Sequence, residues 1–82
     1  MKFDYVGGIT NEERPMIERF EADVVPYLQK HGGRIGESAM KGDPVAETAI
    51  RSYRMFVEGI PEMRAFNYAL LVKSLKAMEV RR

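Results

Sequence analysis

From Glu62 to Val80 the chain reads EMRAFNYALLVKSLKAMEV. At about 100° per residue, Met63, Phe66, Leu70 and Ala77 fall on one side of a helix. Tyr68, Leu71, Leu75 and Met78 fall on another, with Asn67 and Ser74 in the groove between them. Lys73 and Lys76 occupy the one polar arc. A helix apolar over this much of its circumference needs cover on two sides. The pattern therefore predicts a helix over 62–80 at the centre of an all-α fold.

Working outward, Asp43-Pro44 reads as a helix start, because aspartate caps free amides and proline at the first helical position has no amide to satisfy. A helix over 44–58 follows, with Val45, Ala46, Ala49, Ile50, Tyr53, Phe56 and Val57 on one face. Glu47, Arg51, Arg54 and Glu58 form a charged ladder on another, and Met55 faces away from the core stripe. Gly59-Ile60-Pro61 separates this helix from the last.

Upstream, Thr10 or Asn11 caps a helix predicted over 11–31, with stripe Met16, Ile17, Phe20, Val24, Tyr27 and Leu28. Pro26 lacks an amide hydrogen and crowds the Ala22 carbonyl, which predicts a bend. Gly32-Gly33 is expected to close this helix, and residues 34–41 to add a short helical turn. Residues 1–10 read as an extended N-terminal arm carrying Phe3 and Tyr5, and residues 11–82 as a single helical domain. The expected architecture is a compact three-helix bundle in which the first two helices flank the double-striped third. Its core is expected to contain Phe20, Ile50, Tyr53, Phe56, Phe66, Leu70, Leu71 and Leu75.

Composition narrows the function classes. The 82 residues are 45% apolar and 30% charged, as in an ordinary globular domain. With no cysteine, a disulfide framework, a zinc–thiolate site and a thiol nucleophile are excluded. The longest wholly apolar run, Tyr68 to Val72, is far short of the roughly 20 residues that span a bilayer. Met1-Lys2-Phe3-Asp4 does not resemble a signal peptide, so a cytoplasmic protein without membrane partners is expected. Net charge is +1, but residues 64–82 hold five bases against the single acid Glu79, while residues 1–31 are net acidic. Complementary faces of one bundle account for that polarity.

No constellation points to catalysis, a cofactor or a bound metal. His31 is the only histidine and is read as a helix-end residue. The carboxylates lie among arginines, and no Glu-x-x-His pair occurs. Gly32-Gly33-Arg34-Ile35-Gly36 is the one loop that invites an anion, through Gly33, Arg34 and Gly36. It lacks the Lys-[Ser/Thr] ending of a P-loop and the sheet that a Gly-x-x-Gly nucleic-acid module needs. Read as a helix-turn-helix, the last helix offers DNA only Arg64 and Asn67.

The function expected from sequence is therefore a small non-enzymatic protein that binds another protein, as an adaptor, inhibitor or regulatory subunit. Met40, Met55, Lys73 and Lys76 are the candidate contact residues, since exposed methionine suits adaptable surfaces. A weak homodimer through the last helix or the arm is a further expectation. The alternative is a nucleic-acid-associated regulator using Arg64, Lys73, Lys76, Arg81 and Arg82. A ligand or anion binder at residues 32–36 is the third.

Overall fold

The first helix begins on a reciprocal cap. The Thr10 hydroxyl accepts a hydrogen bond from the Glu13 amide at 3.2 Å, and the Glu13 carboxylate accepts from the Thr10 amide at 3.1 Å. This is a capping box, in which two otherwise unpaired donors satisfy each other's side chains. In the computed structural model, which describes residues 3–80, it leads into α1 (Arg14–Arg19).

The chain then passes through a π-helical turn, Phe20–Val24, into α2 (Val25–Met40). Where a bend was expected at Pro26, the chain has this π-helical turn just before it, in which the Val25 amide reaches back to the Phe20 carbonyl. Proline has no amide for the carbonyl one turn before it, and the wider i→i+5 turn absorbs that gap just upstream. The helix continues on the far side.

The sequence reading ended this helix too early. Gly32, Gly33 and Gly36 lie within α2, so residues 34–41 are no separate turn and residues 32–36 are no loop. The stop comes at Gly42, whose φ of +90° suits glycine. Asp43 donates its amide to the Ser38 carbonyl at 3.1 Å, and Gly42 donates to Ala39 at 3.0 Å. That pair of bonds is a Schellman motif. Asp43 also caps α3 (Pro44–Glu58), accepting from the Val45 amide at 3.0 Å. A 3-10 turn, Pro61–Met63, then starts α4 (Arg64–Val80).

Helices α3 and α4 form the most extensive pair, and α2 packs on α3. Small buried residues line these helices: Ala46, Ala49 and Ser52 on α3, and Ser74 on α4. The two serines bond carbonyls of their own helices, so little polar surface is stranded. The core is closed by Ile17, Phe20, Val24, Ile35, Phe56, Leu71 and Leu75. Phe20 and Phe56 lie 4.4 Å apart, centroid to centroid.

The N-terminal segment is not a free arm. Phe3 packs on Phe20 at 5.5 Å and Tyr5 on Phe56 at 6.1 Å, adding aromatic contact to a small core. The chain then turns through Gly7, with the Gly8 amide on the Tyr5 carbonyl at 3.1 Å and a φ of +77° at Gly7.

What holds this segment is Arg64, which is fully buried. Its Nη1 donates to the Gly8 carbonyl at 2.9 Å and to both Glu13 carboxylate oxygens at 2.9 and 3.0 Å. Nη2 donates to the Val6 carbonyl, and the guanidinium lies 5.4 Å from the Tyr5 ring centroid. The planar fork lets one side chain tie a loop, a helix start and another helix together. Glu13 is held below its ordinary value of 4.5, first by the Thr10 amide and further by Arg64. Tyr5 is pushed up, mainly by burial and then by the hydrogen bond it donates to Glu21 at 2.9 Å.

Candidate functional site

The buried side of α4 carries Arg64, Asn67, Leu71, Ser74 and Leu75, with Tyr68 and Met78 half-buried beside them. Only this stripe is covered. The other stripe, expected to lie in the core through Phe66 and Leu70, is open. Phe66 is 59% exposed and Met63 39%, Leu70 is half-buried, and Ala77 is exposed. The reason is geometric: α3 packs along α4, the π-helical turn and the start of α2 reach it only beside Val72 and Leu75, and among the described residues no fourth helix covers the remaining face.

The uncovered positions have a definite spacing. Phe66, Leu70, Lys73 and Ala77 on α4, preceded by Met63 at the end of the 3-10 turn, follow one another at intervals of three and four residues, the a/d pattern of a coiled-coil seam. One flank of the seam, Asn67 and Ser74, is turned into the fold. The other flank, Glu62, Ala69 and Lys76, is exposed. Toward α3 the seam borders a shallow depression of about 260 Å³ lined by Val45, Thr48, Leu70, Lys73 and Ala77. Met55 is 43% exposed and lies seven residues on from Thr48, on the same edge of α3. Since α3 runs antiparallel to α4, that places Met55 toward the Met63–Phe66 end of the seam.

Of the residues expected to contact a partner, Met55 and Lys73 are thus brought to one face, and Lys76 stands on its outer flank. Met40 is apart from them. It is 89% exposed at the end of α2 and borders a wide depression of about 700 Å³ with Glu37, Glu47, Arg51 and Arg54. That depression adjoins an apolar groove of about 340 Å³ between α2 and α3, lined by Val25, Leu28, Gly32, Ile35, Ile50 and Tyr53.

The anion site expected at Gly33, Arg34 and Gly36 loses its premise. These residues are helical, so their amides are not arranged around a loop. Arg34 instead meets His31, Nη2 to Nδ1 at 2.8 Å. His31 is therefore a mid-helix residue, packed against the Tyr27 ring at 4.5 Å, and not a helix end. Arg64 and Asn67, the only DNA readers the last helix offered, are both buried. Arg81 and Arg82 lie outside the described residues.

Sequence reasoning missed two things here. It placed Arg64 among surface bases, although Arg64, Asn67, Leu71, Leu75 and Met78 share one helical register, which is the signal that would have found it. It also placed Phe66 in the core because a two-striped helix was given two neighbours.

Among the described residues, no group of three or more His, Asp or Glu side chains is placed to hold a metal ion. No helix among them is long and apolar enough to cross a membrane. No protein-family model, curated protein or solved structure matches the chain.

Proposed function

We propose that this chain is a non-enzymatic protein-docking module whose contact face is the open seam of α4, bordered by Met55. The observation that carries this reading is Phe66, a large aromatic left 59% exposed within a regular a/d pattern. Single exposed apolar residues are ordinary, but a periodic, contiguous row of them is a common mark of a protein-binding surface. The partner that suits such a seam is an amphipathic helix, which lays its own apolar residues between these. Lys73, within the row, can lay its methylene stem on the partner's apolar surface while its ammonium reaches water.

The nucleic-acid reading is weakened by the burial of Arg64 against Glu13, which removes one of its expected phosphate donors. Salt dependence separates the two chemistries, because phosphate neutralisation weakens steeply with salt and an apolar seam does not. The test compares the parent with Phe66→Asp, Leu70→Asp and Met55→Asp for recovery of a partner from the native host. All three should remain helical, and the two α4 variants should lose the partner. Retention by both α4 variants would show that the seam is not the docking face.

A further inference from the structure

We infer that the helix docking on this face is α4 of a second copy of the chain, packed antiparallel about a two-fold axis beside Ala69. This rests on the docking reading above and adds the identity of the partner.

In an antiparallel pair of helices, a positions face d positions of the partner, and residues on the exposed flank face their own kind. Setting Phe66 against Leu70 of the other copy makes two equivalent apolar layers, because the two-fold returns Leu70 against Phe66. The same register puts Met63 opposite Lys73, whose methylene stem covers apolar surface while its ammonium reaches water.

The exposed flank then fits itself. Ala69 meets Ala69 near the axis, where a small side chain lets the helices approach. Glu62 of each copy comes opposite Lys76 of the other. Ala69 and Lys76 are two turns apart on α4 and Glu62 stands in the 3-10 turn that starts it, so the acid, the small residue and the base follow in the order that an antiparallel two-fold requires. A parallel pair would instead set Lys73 against Lys73, with like charges on the seam. The opposed helix dipoles also favour the antiparallel arrangement.

The face is one helix wide, so each copy contributes less than the ~800 Å² typical of a stable complex. Association is therefore weak and concentration-dependent.

The test is sedimentation equilibrium on the full chain up to on the order of 1 mM. The parent should move from monomer toward dimer as concentration rises, and Phe66→Asp should stay monomeric with its helical spectrum intact. The register is tested by charge exchange. Glu62→Lys alone sets lysine against Lys76, and Lys76→Glu alone sets glutamate against Glu62, so each should associate on the order of tenfold more weakly than the parent. Mixed together, the two variants form opposite-charge pairs on both sides and should associate again. A parent that is monomeric throughout overturns self-pairing while leaving capture of another protein by the seam to its own test. Folded single variants that do not regain association on mixing overturn the antiparallel register.

Discussion

Replacing Arg64 by Met removes the guanidinium while keeping an unbranched apolar stem in its place. Four hydrogen bonds disappear: two to the Glu13 carboxylate and one each to the Val6 and Gly8 carbonyls. Removing one partner of a buried ion pair costs about 3–5 kcal/mol when the other is stranded. Here the released acceptors lie close to the surface, since Val6 and Gly8 are exposed residues, and water replaces part of what is lost. The expected loss is therefore at the lower end, about 3 kcal/mol. For a domain of this size each kcal/mol shifts Tm by about 4–8 °C, so the variant should melt roughly 12–24 °C below the parent. Urea unfolding followed by helical ellipticity reads the free energy directly. Protease sensitivity of residues 3–13 reads the release of the N-terminal segment, which should come before global unfolding. Arg64→Lys should fall between the two, because a single ammonium cannot reproduce the fork. An Arg64→Met chain within about 1 kcal/mol of the parent, or one whose N-terminal segment stays protected, would falsify the account of Arg64 as the latch.

The Glu13 carboxyl is depressed in the fold, so its contribution is present above its ordinary value of 4.5 and is lost as pH falls through the lower folded value; acid unfolding of the parent should show that loss, and Glu13→Gln should flatten it. An α-carbon methyl at Gly33 meets nothing within 4 Å and Gly33 is helical, so Gly33→Ala should stabilise by about 0.5–1 kcal/mol in the same urea assay. Gly7→Ala should do the opposite, because φ is +77° and the new methyl would sit 3.0 Å from the Pro61 ring. Leu71→Ala opens a cavity at a fully buried site and should cost about 2–5 kcal/mol, whereas Phe66→Ala should leave monomer stability nearly unchanged. Equal losses at the two positions would contradict the one-sided burial of α4.

Helices were legible in this sequence wherever the signal was local. Asp43 and Pro44 sit where cap chemistry puts them, and the stripe from Ala46 to Val57 meets the core as its period requires, while Val45 lines the shallow depression beside Leu70. The glycines of α2 misled for a physical reason. A glycine disfavours a helix by only about 1 kcal/mol, and burial of Ile35, worth about 1.5–3 kcal/mol, offsets the Gly32-Gly33 pair before it. Gly42 stops the helix because the backbone there needs a positive φ, which Gly32 and Gly33 do not. A Gly-Gly pair shows in a sequence; which glycine carries the left-handed turn depends on where the next helix must start.

The candidate face was half legible. The two stripes of α4 were there to be read, but whether both are covered depends on how many helices surround it, which periodicity does not state. Three elements compete for α4, and the one that wins the Arg64 end is the N-terminal segment, through backbone carbonyls that leave no trace in a hydrophobic pattern. With that end latched, α3 borders the Phe66 stripe only along its Leu70–Ala77 edge, and among the described residues no further helix lies over it. Its spacing is nonetheless that of a seam, and its exposed flank runs from acid through alanine to base. A stripe that merely tolerated exposure would not need Phe66, nor a seven-residue order on its flank. On the docking reading proposed above, the occupant of the open face lies outside the chain, and the order from Glu62 through Ala69 to Lys76 would select a helix running the other way.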